Sequence, residues 1–240
     1  MTATIRVDPE LSTRHELWSL TSQVTHILTG VPWVLIGGQM VAILEAEHGV
    51  RPRFTTGDVD ALLDVRALAD STQEAANRLL AAGFEPEQLD GMVYRFVRGE
   101  AIVDILAPDN LGARADLRTV PPGSTVEAPG GRQALQRARA VTIEAGSGAF
   151  SLRVPSLTGA ILIKARVAVA ATAQRAKHER DLARLLALVA EPVVLSLELT
   201  RKERGYLRAN AALADPFHAA WRGIAGAVEG AIALEIMFGG

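Results

Sequence analysis

The chain has no cysteine among its 240 residues. That excludes thiol nucleophiles, cysteine-ligated zinc and disulfide bridges. It also has no uninterrupted apolar run of the ~18 residues a membrane-spanning helix needs. No charged segment followed by an apolar stretch opens it in the manner of a secretion signal, so a cytoplasmic protein is expected. Aromatic residues make up 5% of the chain. Positive charge is not in excess either: 25 Lys and Arg stand against 27 Asp and Glu, a formal net charge of −2. A globally basic nucleic-acid binder is therefore not expected, although a local basic face is compatible with this balance. The familiar glycine-rich phosphate loops are missing. No third glycine follows Gly37 and Gly38 at dinucleotide-fingerprint spacing, and no G-x-x-x-x-G-K-[ST] occurs. There is no internal repeat and no low-complexity tract beyond alanine richness. The length suits one large domain or two small ones.

What is present centres on Trp33 to Val65, WVLIGGQMVAILEAEHGVRPRFTTGDVDALLDV. The run Trp33-Val34-Leu35-Ile36 reads as a buried strand stopped by Gly37 and Gly38. Gln39 to His48 carries Met40, Ile43 and Leu44 at helical spacing. Pro52 marks a loop, and Thr56-Gly57-Asp58-Val59-Asp60 leads into a second strand. Asp58 and Asp60 therefore share one face of that strand, with Val59 on the other. Their Cα atoms are expected ~6.8 Å apart. At an effective dielectric of ~20 the two charges repel by about 2 kcal/mol. A cation between them converts that cost into affinity, and Mg²⁺ suits the position. It is a hard ion that binds one or two carboxylates and shares the rest of its shell with substrate phosphates. Backbone N–H groups at a glycine pair opening a helix complement this, since they approach phosphate closely.

The order strand, Gly-Gly, helix, then Thr-x-Asp-x-Asp on a strand resembles the signature of DNA polymerase β-type nucleotidyltransferases. Within that superfamily the chain is most similar to the AbiEii-type nucleotidyltransferases, the toxins of type IV toxin–antitoxin and abortive-infection systems. Gln39 to Gly57 is 19 residues long, longer than the usual interval of about a dozen in the family, and implies an extended helix and loop. Further along, Met92–Val97 and Ala101–Leu106 flank Arg98-Gly99-Glu100 and read as a hairpin. Asp104 is an acid inside the apolar run Ala101–Ala107, expensive there unless paired or metal-bound. It stands where the family carries its third carboxylate. The resemblance implies that Asp58, Asp60 and Asp104 hold Mg²⁺, with Asp104 also orienting or deprotonating an attacking hydroxyl. It assigns nucleotide binding to Gly37, Gly38, Thr56 and Lys164. A second family signature, a lysine on one helix and Lys-x-x-x-Asp-Leu on the next, is matched by Lys164 and by Lys177 to Leu182, with Asp181 as the acid. Arg175, Lys177 and His178 flank it. The implied activity is transfer of NMP from an NTP to RNA, most closely the tRNA 3′ end, with an antitoxin as partner. A small-molecule nucleotidyltransferase of the same fold and a non-catalytic module are the alternatives.

The remaining chain is read from pattern. Residues 1–10 are expected to be a loose arm, and Leu11–Leu28 a helix bearing His15 and His26 on its surface. Arg66–Ala82 reads as a helix closed by Gly83, with Asp64 as a strand-end residue. Pro108–Arg132 reads as a long irregular connection with a turn at Pro121-Pro122-Gly123. Arg139–Ala145 and Ala149–Val154 read as a second hairpin. From Ser156, a good N-cap, the pattern is helical: Leu157–Ala171, Lys177–Ala190, then two or three helices to Gly240 with no assigned role. Lys164 to Arg184 has a local excess of basic residues suited to a triphosphate or RNA backbone. The expectation is an α+β fold, with a mixed sheet and flanking helices in a domain of residues 1–155. A helical domain, 156–240, follows and contributes to the active-site cleft.

Overall fold

Short apolar stretches bounded by glycine, proline and charge become strands in the first two-thirds of the chain, while the alanine- and leucine-rich remainder becomes helix. The computed structural model describes residues 3–7, 15–52, 57–112, 115–145, 148–171 and 173–239. The chain divides into two compact units, Met1–Pro155 and Ser156–Gly240.

In chain order the first unit contains β1 (Ala3–Val7), α1 (His15–Ile27), β2 (Trp33–Ile36), α2 (Gly37–Glu47), β3 (Asp58–Leu63) and α3 (Ser71–Ala81). There follow β4 (Glu85–Leu89), β5 (Met92–Arg98), β6 (Ala101–Pro108), β7 (Glu127–Ala128), α4 (Gly131–Gln136), β8 (Ala138–Ala145) and β9 (Gly148–Pro155). The main sheet has the order β2-β3-β6-β5-β4, with β7 also paired to β6. It is mixed: β3 and β6 are parallel, and the other neighbours on that path are antiparallel. A second sheet has the order β1-β8-β9.

The strand period of two divides each central strand between the core and the opposite face. Val59, Ala61 and Leu63 of β3, Val103 and Ile105 of β6 and Phe96 of β5 are buried in one apolar cluster. Trp18 and Val24 from α1, Leu28 just after it, and Ala75, Ala76 and Leu79 from α3 belong to it as well. The opposite face carries Asp58, Asp60 and Asp104. At its far end that face is covered by α4. A Cβ on Gly131 would meet the Cα of Pro108 at 2.9 Å and a methyl of Leu62 at 3.1 Å. Only glycine lets the α4 backbone come so close, and Leu62 is fully buried beneath it.

Several expectations need correction. Residues 1–10 are not simply a loose arm: Ala3–Val7 pairs in parallel with Val141–Ala145, and Ile5 is buried. The short alternation of Ala3-Thr4-Ile5 is enough because β8 supplies the partner. Arg66 to Asp70 is not helical. The Asp64 carboxylate accepts the N–H groups of Arg66 and Ala67 at 3.3 and 3.2 Å, forming a turn, and the helix starts only at Ser71. The Asx-type turn competes successfully with helix there. Strand β4 was not expected, because Glu-Pro-Glu-Gln-Leu has no apolar alternation and is mostly exposed. It is an edge strand, the position where proline is tolerated. Within the connection after β6, α4 and β7 were also unforeseen. The connection is stitched to the sheet by Thr119 and Thr125, whose hydroxyls donate to the carbonyls of Val93 and Ile105 at 2.6 and 2.5 Å.

The second unit contains α5 (Leu157–Ala170), α6 (Arg175–Leu186), α7 (Pro192–Leu197), α8 (Arg201–Arg208) and α9 (Ala227–Gly239), with 3₁₀ turns at Ala211–Ala214 and Ala219–Trp221. Ser156 caps α5, accepting the N–H of Gly159 at 3.3 Å. Thr200 and Glu203 form a reciprocal capping box at the start of α8. Asn210 ties the end of α8 to α5, its amide donating to the carbonyls of Tyr206 and Ala165, both at 3.0 Å. Among the described residues no helix is long and apolar enough to cross a membrane.

Candidate active site

The register of the main sheet lines up one row of side chains. Ile36 of β2 faces Asp60 of β3, Asp60 faces Asp104 of β6, Asp104 faces Arg95 of β5, and Arg95 faces Glu87 of β4. Asp58 lies two residues before Asp60 on the same face. One carboxylate oxygen from each of Asp58, Asp60 and Asp104 lies within 4.8 Å of the other two. Asp104 is buried, and Asp58 and Asp60 are partly so.

Gly37 completes this arrangement on the β2 side. Its φ is +76°, in the left-handed region. A Cβ there would meet the Asp60 carboxylate oxygen at 1.8 Å, well inside van der Waals contact. The residue must be glycine for Asp60 to lie where it does. Gly37 and Gly38 open α2 as its first two positions, so the helix begins two residues before Gln39. Its N-cap residue, Ile36, offers no side-chain cap, and its first turn holds no acid. The positive end of α2 is therefore set beside Asp60. Thr56, assigned a nucleotide contact from the sequence, lies outside the described residues.

Asp104 is held by a residue that the sequence reading passed over. Arg95 donates from Nε and Nη2 to the two oxygens of Asp104, both at 2.8 Å, and its Nη2 is 4.0 Å from an oxygen of Asp58. This is the bidentate fork geometry that makes arginine–carboxylate pairs strong. Burial pushes the Asp104 carboxyl above the usual carboxylate range, and the hydrogen bonds from Arg95 offset that only in part. The same pairing with Asp104 holds the Arg95 guanidinium still more firmly protonated than usual.

The second motif lies in the helical unit. Lys164, 4% exposed, sits in α5 among buried residues, and its ammonium donates to Asp181 of α6 at 2.6 Å. Arg184 donates to the other oxygen of Asp181 at 3.3 Å. The two oxygens of Asp181 are thus bonded to Lys164 and Arg184. His178, one turn before Asp181, is partly buried. Burial, reinforced by the Lys164 charge, lowers its pKa to about 4, so the imidazole is neutral near pH 7. Arg175 instead pairs with Glu179 at 2.7 Å on an exposed face.

Arg95 was recoverable from the sequence by a specific route. It is the one cation between Met92 and Val97, in a strand otherwise apolar or aromatic, and the following strand holds one acid, Asp104. A two-residue turn at Gly99-Glu100 pairs Arg98 with Ala101 and hence Arg95 with Asp104.

The donor set suits a hard divalent cation. It offers carboxylate oxygens alone, close together, beside a glycine cradle that a Cβ would fill. No protein-family model matches the chain, and no curated protein sequence matches it. Two solved structures are similar in shape. An antigenic nucleotidyltransferase-like protein from Paracoccidioides brasiliensis aligns over 87% of this chain and 91% of its own, at 15% identity and a TM-score of 0.50. The antibiotic-resistance factor ANT(2'')-Ia aligns over 87% of this chain and 95% of its own, at 16% identity and a TM-score of 0.40. With the mixed sheet, the glycine-opened helix and the three converging carboxylates, the chain has a nucleotidyltransferase-like α+β fold followed by a helical unit.

Proposed function

We propose that the protein is a metal-dependent nucleotidyltransferase that moves NMP from an NTP to an RNA acceptor, the tRNA 3′ end, as a toxin restrained by an antitoxin partner. The convergence of Asp58, Asp60 and Asp104 against Gly37 carries the catalytic part of this reading. The acceptor and the toxin role rest on the AbiEii-like order of motifs.

In the proposed reaction an acceptor hydroxyl attacks the α-phosphorus. A new P–O bond forms, the bond to the β-phosphate oxygen breaks, and pyrophosphate leaves. Asp58 and Asp60 are the residues that would hold Mg²⁺. When bound, that ion would supply positive charge to neutralise the transferring phosphoryl group. Asp104 is the acceptor for the hydroxyl proton. Its buried, upward-shifted carboxyl favours proton uptake. The N–H groups at Gly37 and Gly38, at the start of α2, are suited to phosphate oxygens. Lys164 is the residue that the family resemblance assigns to the triphosphate; within the helical unit its ammonium is bonded to Asp181.

A second reading is favoured by one observation. The net charge of −2 suits a small acceptor better than a long RNA backbone. The deciding experiment incubates the protein and Mg²⁺ with each α-labelled NTP and total RNA, and separately with aminoglycosides and lincosamides. Label from one NTP on tRNA is the expected result. Label on an antibiotic with none on RNA assigns the acceptor to the second class. Label on neither overturns the transferase reading.

A further inference from the structure

Arg95 is placed where a site built only to collect divalent cations would have no positive charge. Its guanidinium spans both oxygens of Asp104 at 2.8 Å and reaches to 4.0 Å from Asp58. Two of the three clustered carboxylates are thus in its electrostatic reach. Its alkyl stem rises from the centre of β5, and its side chain is partly exposed. Each Asp104 oxygen accepts one hydrogen bond from the fork and retains a further lone pair for the cluster.

We propose that Arg95 is a positioning residue that sets the properties of the acidic cluster, an inference resting on the metal-site part of the reading above. Its fork fixes the plane of Asp104 relative to Asp58 and Asp60. Its charge holds down the affinity of the cluster for a bare divalent ion. The two effects separate by chemistry. Lysine keeps the charge and loses the fork, whereas methionine of similar length loses both.

The charge effect has a predictable size. A unit positive charge beside a divalent ion at a partly exposed site opposes its binding strongly, even after solvent screening. Removing it is expected to tighten binding by ~10- to 100-fold. A merely structural arginine predicts the reverse: its loss would loosen Asp104 and weaken or leave unchanged the metal affinity.

The experiment titrates Mn²⁺ into the full chain without nucleotide and reads free Mn²⁺ by electron paramagnetic resonance. Wild type is compared with Arg95→Met and Arg95→Lys, with melting curves in chelator and in Mn²⁺. The Arg95→Met protein is expected to bind Mn²⁺ ~10- to 100-fold more tightly, to melt lower in chelator, and to gain more from Mn²⁺ than wild type does. The Arg95→Lys protein is expected to bind Mn²⁺ within about threefold of wild type. Its turnover falls at unchanged KM for NTP, because the lost fork misplaces Asp104 and not the nucleotide. Unchanged or weaker Mn²⁺ binding by folded Arg95→Met overturns the proposal. If Arg95→Met does not fold, Asp104→Asn and Asp104→Asn/Arg95→Met make the same comparison without a buried ionised carboxylate lacking its fork. Tighter binding in the double variant supports the proposal, and equal or weaker binding overturns it. Absence of Mn²⁺ binding in wild type and variants alike overturns both this inference and the metal site. Tighter binding without nucleotide transfer to any acceptor keeps the inference and overturns the transferase reading alone.

Discussion

Three carboxylates at one end of a β-sheet face repel one another, and the protein arranges compensation for them one residue at a time. Asp104 has the Arg95 fork, and Asp60 lies against the first turn of α2. Loss of Asp60 should therefore be tolerated by the fold and not by the reaction. Asp60→Ala is expected to slow transfer of labelled NMP by ~1000-fold or more, about 4 kcal/mol of lost transition-state stabilisation. Circular dichroism should show an intact fold, and full activity in a folded Asp60→Ala protein would reject the mechanism. The Lys164–Asp181–Arg184 group makes a different prediction, in stability. Lys164→Met leaves Asp181 bonded to Arg184, whereas Asp181→Asn removes the carboxylate from both cations at once. Breaking a buried charge group from its shared partner costs about 3–5 kcal/mol. Urea denaturation should rank Asp181→Asn as clearly more destabilising than Lys164→Met; the opposite order would mean that Lys164 dominates the group.

At the scale of elements, the decisive junction is the passage from β2 into α2. The strand ends at Ile36, and the next residue must adopt a positive φ while leaving room for Asp60. Gly37→Ala is expected to cost about 1–2 kcal/mol for the left-handed backbone. It is expected also to displace the Asp60 carboxylate, so Mn²⁺ binding should fall at least tenfold while circular dichroism remains helical. Unchanged Mn²⁺ affinity in this variant would show that Asp60 moves without consequence for the metal. The elements themselves were unevenly legible. The β5–β6 hairpin, α5 with its Ser156 cap, and β3 with its acidic alternation carry strong local signals. β1 and β4 do not, being short and in β4's case polar; their existence depends on the sheet edges that receive them. The start of α3 was misplaced because Asp64 organises a turn by side-chain hydrogen bonds, which apolar periodicity does not register.

At the scale of the whole molecule, pH reports on His178. Its pKa is lowered to about 4 from an ordinary value of 6.5, mainly by burial and then by Lys164. The unfolded chain takes up a proton below pH ~6.5 and the folded chain does not until pH ~4. The stability that His178 contributes is thus complete above pH ~6.5 and is lost as pH falls towards 4. Each unit in that window weakens the fold by at most ~1.4 kcal/mol through this residue. His178→Gln is expected to flatten the decline of melting temperature between pH 6.5 and 4. An equal slope in both proteins would show that other groups carry it. Sequence alone determined the candidate residues: the glycine pair, Asp58 and Asp60 on one strand face, the acid in the next hairpin and, separately, the lysine on an apolar helix, but not Arg95. Local periodicity and turn chemistry are enough for that, because strand faces and short-hairpin register follow from covalent geometry. Only the tertiary structure decided that β6 lies parallel beside β3, putting Asp104 opposite Asp60. It alone brought Gly37 against the Asp60 carboxylate and Lys164 into a buried bond with Asp181. Those contacts join residues far apart in the chain, and packing of the apolar faces, which local sequence does not specify, is what sets them together.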